Sequence, residues 1–461
     1  MSMQKRYHFI AIGGVGMSGL AKYLLQEGYE VSGSDINDSK YVQQLRDLGG
    51  TIHIGHSADN VPDGATVVVS SAIRESNPEL KYAREKGLKV YHRSDLLKEI
   101  SLSEKCFIGF SGMHGKTTTS GMAAYILSKA GYNPSYVVGG IIPEYHTNAE
   151  YSGHKLFIAE LDESDGTIVK YRPDIVVVNN LEPDHLDHYK NGMADILDTF
   201  GAQFLEKLKP ESKIVVNIDN NGIKQLLKQY PDLKVITYGF SEDADYVAKN
   251  VEYNHGYTTF DIYHNGELLT PVKIILPGQH NVYNALAVIT ALNQDDELDI
   301  KKVAKQLETF TGMGRRFQRV EDIDGIVVYD DYAHHPTEIK STLSAMKSFT
   351  DKKIVAVFQP HRYTRLKTLW NEFKDALKGV DRVIVTDVFA ASEDKIDGIN
   401  SEKFASEVEG AEYISGSMAD VAKKLFPTLK KGTVVIGLGA GTITDLGKEL
   451  AKCYKQVELT K

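Results

Sequence analysis

The chain has 461 residues, which at roughly 150 residues per domain predicts about three domains. Hydrophobic residues at 42% and charged residues at 25% are the mix of a globular enzyme, and a net charge of −9 with basic residues spread along the chain argues against a nucleic-acid or membrane-surface protein. Two cysteines, Cys106 and Cys453, exclude a disulfide framework and fit no metal-knuckle spacing, and no apolar run reaches the ~20 residues that span a bilayer. The first residues lack the layout of a signal peptide, so a cytoplasmic protein without membrane insertion is expected.

The first third alternates short apolar runs at 7–12, 29–33, 66–70 and 89–92 with helix-period stretches such as 16–27, which predicts a parallel sheet. Gly14-Val-Gly16-Met-Ser-Gly19 follows the first run and opens the first helix, and Asp35 stands about twenty residues on, at the end of the next strand. In that context the glycines let the backbone approach a diphosphate at a helix N-terminus, and the acid suits a ribose hydroxyl. A bare tight turn and an NAD(P) dehydrogenase loop remain alternatives on the motif alone. The polar stretch 98–105 reads as a boundary.

A second α/β unit begins at 106–110, with further apolar runs at 156–159, 175–178 and 213–216. Gly112-Met-His-Gly115-Lys116-Thr117-Thr118-Thr119 again follows a strand and precedes a helix. Phe110 stands where a P-loop would have its first glycine, so this is a shortened G-x-x-G-K-T loop. Backbone N–H groups there can wrap a triphosphate, Lys116 can reach its outer phosphates, and the Thr117 hydroxyl can bind Mg²⁺. Two acid clusters sit at successive strand ends, Glu160-Leu-Asp162-Glu163-Ser-Asp165 and Glu182-Pro-Asp184-His185-Leu-Asp187, and predict a metal site. Period-two alternation over 247–276, with His264-Asn-Gly as a turn signal, predicts an appended antiparallel hairpin, and a helix follows at 282–292. A Gly- and Arg-rich stretch at 310–318 marks the second boundary. A third α/β unit follows with runs at 326–329, 353–358, 382–386 and 433–436, and Gly437-Leu-Gly439-Ala-Gly441 is assigned to tight strand–loop geometry. The expected domains are 1–103, a Rossmann-like parallel sheet; 104–312, a P-loop-type α/β domain with added antiparallel strands; and 313–461, a second Rossmann-like α/β domain. Cys106 is expected to be a core strand residue.

Together these motifs, with Gly278-Gln-His-Asn-Val-Tyr-Asn-Ala, Gly314-Arg-Arg-Phe, Asp330-Asp-Tyr-Ala-His-His-Pro-Thr-Glu and Gln359-Pro-His-Arg-Tyr-Thr-Arg, resemble the Mur ligases over the whole chain. Members of that family build the peptide stem of bacterial peptidoglycan. The resemblance implies an ATP-dependent carboxylate–amine ligase whose substrates are UDP-N-acetylmuramate, L-alanine and ATP, with Mg²⁺ as the metal and Mn²⁺ as an alternative. It implies a monomer or homodimer with no nucleic-acid partner. A recycling ligase that attaches a ready-made peptide is the nearest rival reading.

The resemblance also assigns residues. Gly14, Gly16, Met17, Ser18, Asp35, Ser70, Ser71 and His92 would bind the UDP-sugar. Gly112, Met113, His114, Gly115, Lys116, Thr117 and Thr118 would wrap ATP, with Asn281 and Asn284 at adenine and Arg316, Asp331 and His334 from the third domain. Lys116, Glu160 and His185 would serve catalysis, with Thr117 and Glu160 on one Mg²⁺ and His185 on a second. Tyr332, His361, Arg362 and Arg365 would frame the amino acid, because a guanidinium fork suits its carboxylate. The family usually has Thr at the positions of Met113 and Ser120, so this loop lacks a hydroxyl at Met113.

Overall fold

The computed structural model describes residues 5–103, 105–186, 188–254, 256–391 and 393–459. Its first sheet contains β1 (Arg6–Ile10), β2 (Glu30–Asp35), β3 (Thr51–Ile54), β4 (Thr66–Val69) and β5 (Val90–His92), in the order β3-β2-β1-β4-β5 and parallel throughout. The helix Val15–Glu27 follows β1 and stops at Gly28, whose left-handed φ of 92° lets its N–H reach the last carbonyls. The order turns at β1/β4, so the ends of those strands form the crevice where such sheets take ligands.

The second sheet contains β6 (Cys106–Ser111), β7 (Ser135–Ile142), β8 (Thr147–Glu150), β9 (Leu156–Glu160), β10 (Ile175–Val178), β11 (Lys213–Asn217), β12 (Val235–Gly239), β13 (Tyr246–Asn254), β14 (Tyr257–His264) and β15 (Glu267–Ile274). Its order is β15-β14-β13-β12-β11-β10-β6-β9-β7-β8. Parallel pairing runs from β13 to β7, and β8 closes one edge antiparallel to β7. The stretch read as a hairpin is a run of three neighbouring strands, with the second turn on Asn265 and Gly266, both at positive φ as a tight two-residue turn requires. The helix Lys116–Lys129 is buried from Thr118 to Leu127 because it packs on β6, β7 and β9 on one side and on the helix Ile300–Lys305 on another.

The third sheet contains β16 (Gln318–Ile323), β17 (Ile326–Asp331), β18 (Lys353–Phe358), β19 (Arg382–Val385), β20 (Ala411–Tyr413) and β21 (Thr433–Leu438), in the order β16-β17-β21-β18-β19-β20. Only β16 runs antiparallel, against β17.

The described residues form two compact units. One runs to Asn250 and adds Phe260–Val272 and Tyr283–Phe310; the other consists of Val251–Thr259, Lys273–Val282 and the chain from Thr311 onward. In the first unit one buried apolar cluster extends from Tyr7, Phe9 and Leu24 to Phe157, Val178 and Phe200, and so joins the first two sheets. The stretch at 98–103, read from its polarity as a boundary, is helical: it is the last part of the helix Arg93–Ser103, which buries Leu96, Leu97 and Ile100. Cys106 begins β6 half-buried, with its thiol pushed up to about 11 by burial, which suits a structural residue. Among the described residues no helix is long and apolar enough to cross a membrane.

One glycine shows how closely the layers meet. A Cβ on Gly222 would lie 2.0 Å from the carbonyl oxygen of Leu181. Backbone cannot yield there as a flexible side chain would, so Gly222→Ala is expected to lower the unfolding free energy by ~1–3 kcal/mol, measured by denaturant titration. An unchanged midpoint would show that the two segments are not so tightly packed.

Candidate active site

Between β6 and the helix Lys116–Lys129 the chain turns through Gly112 at φ 119° and Gly115 at φ 84°. A Cβ on Gly112 would lie 3.0 Å from the amide nitrogens of Asn179 and Asn180, and one on Gly115 would lie 2.9 Å from Asn284 Oδ1. The loop is pinned from the end of β10. Met113 N donates to Asn180 O, His114 N donates to Asn180 Oδ1 at 2.8 Å, and the amides of Asn179 and Asn180 donate to His114 O. The Met113 side chain is buried in the apolar cluster, so this residue offers the loop its backbone only. Thr118 is buried, Thr117 is half-buried, and the Ser120 hydroxyl donates to Lys116 O.

Lys116 Nζ donates to Gly112 O at 2.7 Å, to Met113 O at 3.1 Å and to Glu163 Oε1 at 2.8 Å. Burial pulls its ammonium down, but Glu163, Asp162 and Glu160 outweigh that and hold it above its ordinary value. Glu163 has no exposed surface, and its Oε2 has no hydrogen-bond partner among the described residues. His185, at φ 51°, places Nε2 3.5 Å from Glu163 Oε1 and 3.8 Å from Asp184 Oδ2. Burial opposes its charge, yet those two carboxylates raise its pKa. Glu160, at the end of β9, accepts from Gly139 N at 2.9 Å. Asp187 lies outside the described residues. No three His, Cys, Asp or Glu side chains among the described residues are grouped to hold a metal. Mg²⁺ commonly takes one or two protein ligands and completes its shell with phosphates and water, so an ion that arrives with a nucleotide needs no such group of three.

The first glycine loop has a different anchor. Asp35 Oδ2 accepts from Gly13 N at 2.9 Å, and its other oxygen accepts from Asn37 N. A Cβ on Gly13 would sit 2.9 Å from that carboxylate. Gly14 caps the helix without a side chain, Met17 is buried in the core, and the Ser18 hydroxyl donates to Val15 O. Ser70 lies half-buried just past β4. At the ends of β4 and β5, Ser71 Oγ lies 3.1 Å from His92 Nε2 and donates to Asp165 Oδ2 at 3.0 Å. Arg93 pairs with Asp162 and lines, with Gly16, Gly139 and Glu160, a cavity of about 70 Å³ between the first two sheets. Asp162 is held well below the ordinary carboxylate range: burial opposes its charge, but Arg93 and Lys116 prevail.

In the second unit, Asp331 ends β17 buried, accepting from Phe317 N at 2.6 Å and Ala333 N at 2.7 Å. Burial pushes its carboxyl up to about 6 against the pull of Arg316. The Tyr332 ring carries the guanidinium carbons of Arg315 and Arg316 at 4.9 and 5.2 Å. His334 Nδ1 donates to Tyr332 O at 2.9 Å. His361 stacks on Phe389 and accepts on Nδ1 from Arg365 at 3.3 Å; burial, then His334 and the arginines, push it down to about 3. Arg362 is exposed at φ 68°. The third glycine turn is packing geometry: Gly439 N donates to Asp331 O, and a Cβ on Gly441 would strike Gln359 and Phe389.

The helix expected over 282–292 begins earlier, at Gln279. Asn284 faces Gly115, whereas Asn281 Nδ2 donates to Pro277 O and lies 3.1 Å from His280 Nε2, so its amide is engaged in its own turn. His280, whose Nδ1 lies 2.9 Å from Ser341 Oγ, is pushed down to about 4 by burial. Sequence reasoning singled out neither His280 nor Glu163, Arg93 and Asp162 as individual site residues. The Glu163 signal was its place one residue beyond Asp162 after a strand, but nothing local names Lys116 as its partner.

Two phosphate-type loops at strand ends, one of them with a buried lysine, define a nucleotide-binding α/β protein. Residues 6–105 match the Mur ligase family catalytic domain, 111–292 the Mur ligase middle domain, and 315–441 the Mur ligase glutamate ligase domain. The chain belongs to the Mur ligase family. It is 40% identical over 457 residues to a UDP-N-acetylmuramate–L-alanine ligase of Geotalea daltonii, covering 98% of each chain. It is similar to the crystal structure of UDP-N-acetylmuramate-alanine ligase MurC from Thermotoga maritima at TM-score 0.82 and 28% identity, covering 99% of this chain and 100% of that one. A murein peptide ligase from Psychrobacter arcticus shares the fold at TM-score 0.70 and 23% identity, with 98% of each chain covered.

The depressed histidines make stability fall in acid. The ordinary value is near 6.5, so between pH 6.5 and about 4 the unfolded chain takes up a proton at His280 that the folded chain refuses. Unfolding free energy therefore drops as pH falls through that window. His280→Asn is expected to flatten this limb in denaturant titrations at stepped pH, and a limb of equal steepness in the variant would contradict the assignment.

Proposed function

We propose that the protein joins L-alanine to the carboxylate of UDP-N-acetylmuramate, with ATP converted to ADP and phosphate, in peptidoglycan precursor synthesis. The observation that carries this reading is a single one: relatives so named match 98% of the chain at about 40% identity. Two arguments set the recycling ligase second. The curated relatives matched over 98% of the chain are named for L-alanine, and among the solved structures MurC of Thermotoga maritima matches 99% of the chain at TM-score 0.82 where the recycling ligase of Neisseria covers 69% at 0.60.

A carboxylate is a poor acyl donor, and ATP makes it a good one. A carboxylate oxygen attacks the γ-phosphorus, the bond to ADP breaks, and an acyl phosphate forms. The amine nitrogen of L-alanine then attacks the acyl carbon, loses a proton, and the tetrahedral species expels phosphate. The protein's share is positioning and charge stabilisation. Lys116, fixed at the loop mouth, would neutralise charge on the transferring phosphoryl group. Mg²⁺ held by Thr117 and Glu160, and a second ion held by His185, would supply Lewis-acid polarisation of the phosphates. His185 must be neutral to ligate, and the carboxylates that raise its pKa make a bound cation an acceptable replacement for its proton.

Gly14, Gly16 and Asp35 would receive the diphosphate and ribose of the UDP-sugar. In the second unit Arg362, Arg365, His361 and Tyr332 would receive the amino acid, and Arg316, Asp331 and His334 the nucleotide. Such a reaction belongs in the cytoplasm, where ATP is made.

With UDP-N-acetylmuramate and ATP present, L-alanine should release ADP faster than a tripeptide beginning L-Ala-γ-D-Glu. Faster release with the tripeptide would transfer the assignment to the recycling class. Lys116→Ala should lose ~10²–10³-fold or more in kcat, the usual cost of removing a charge-stabilising donor. Its affinity for UDP-N-acetylmuramate by calorimetry should stay within about twofold, because that ligand uses the other loop. Loss of sugar-nucleotide binding in folded K116A would place the lysine elsewhere.

A further inference from the structure

The first sheet contains a charged group that no step above uses. Glu79, second residue of the helix Pro78–Glu85, has no exposed surface, and the contacts around its carboxylate include no lysine or arginine. Such a burial is costly unless each oxygen is fully engaged, and here it is. Oε1 accepts from Asn60 Nδ2 at 2.8 Å and Ser57 N at 3.2 Å. Oε2 accepts from Ser34 Oγ at 2.5 Å, with His8 Nε2 at 3.4 Å and His56 Nδ1 at 3.6 Å. The Ser34 hydroxyl, having given its proton to Glu79, is itself 2.8 Å from His56 Nδ1, which fits that ring nitrogen as donor. Burial would push the carboxyl up, but the bonds from His8, Ser34 and Asn60 hold it below its ordinary value.

These contacts come from four separate pieces of chain: the middle of β1, the end of β2, the loop after β3, and the helix after β4. Ser34 immediately precedes Asp35, the residue whose carboxylate holds Gly13 N. Gly55 N, in the loop that Glu79 clamps through Ser57 and Asn60, donates to Asp35 O at 2.8 Å. Both sides of Asp35 are thus fixed by a single buried side chain.

We propose that Glu79 is a positioning residue for the UDP-sugar site: it fixes the end of β2 and the loop 55–60, and through them sets Asp35 and the first glycine loop. The proposal rests on the reading that this loop takes the UDP-sugar. Glu79 touches no ligand in it. Its effect is on affinity for one substrate, because the triphosphate loop and the C-terminal residues make none of these contacts.

The residue types give a test with a built-in rescue. Ser57 N and Asn60 Nδ2 can only donate, whereas Ser34 Oγ and a histidine ring nitrogen can accept. Glutamine at 79 can therefore turn its oxygen to the first pair and its amide to Ser34, reversing that relay without losing it. Alanine leaves several buried donors unpaired. Glu79→Ala should raise the KM and the calorimetric Kd for UDP-N-acetylmuramate about tenfold or more. Its kcat at saturation and its KM values for ATP and L-alanine should stay within about twofold. Glu79→Gln should recover most of the loss. Simple destabilisation lowers the active fraction, which moves apparent kcat and leaves KM alone, so the split separates the two. Should Glu79→Ala not fold, Ser34→Ala cuts the link to Asp35 with a smaller cavity and should raise the same KM about fivefold. Wild-type protein that neither binds nor turns over UDP-N-acetylmuramate refutes the assigned activity itself. Wild-type protein that does, beside variants with unchanged KM or with every constant shifted alike, refutes the role of Glu79.

Discussion

A buried ammonium at the start of a helix is the constraint around which the first unit is arranged. Lys116 stands where the helix dipole is positive, so the position disfavours a cation, and burial disfavours it further. Glu163, fully buried and close to the ammonium, makes the charge tenable. The arrangement also leaves the lysine able to act. Two of its three contacts are to loop carbonyls, which a phosphate oxygen can replace with a stronger, charge-assisted bond. The ion pair keeps the ammonium charged and in place before any nucleotide arrives, so little has to be reorganised on binding.

The two glycine loops solve related problems with opposite charges. Both put a strand end and a helix N-terminus around an anion. The second adds a cation beside it, Lys116, which suits the charged oxygens of a phosphoryl group during transfer. The first adds an anion, Asp35, that holds the loop by Gly13 N and contributes no positive charge. The cation nearest the first loop, Arg93 beside Gly16, is paired with Asp162. Under the proposed function the first loop would bind and the second would carry the reaction.

Much of this was legible in the sequence because its signals are local. Strand, glycine turn and helix follow one another within a few residues, so β1, β6, β10 and β18 and both loops could be located from pattern alone. Elements without a local signal were missed. β3 is short and half-polar, β7 has glycines in its interior, and β16 is an exposed edge strand. The helix Arg93–Ser103 looks like a linker because its buried face is only a few residues wide. The partners of site residues were missed for a related reason. Lys116 meets Glu163 only once β6 and β9 lie side by side, and Arg93 meets Asp162 only once the end of β5 in the first sheet approaches the end of β9 in the second. The Asn281 Nδ2 bond to Pro277 O is of the same kind, since it depends on where the helix starts.

In the second unit the histidines are used without their charge. His334 gives its Nδ1 proton to a carbonyl, and His361 takes a hydrogen bond from Arg365, which only a neutral ring can do. Burial and the neighbouring arginines keep both rings below their ordinary pKa. A protonated His361 would compete with Arg365 for any carboxylate and would repel it in the meantime. A neutral one orients the guanidinium and leaves it as the charged donor. Positive charge there rests on arginines, which do not titrate in water, so it persists over the pH range in which an amine must lose its proton to react.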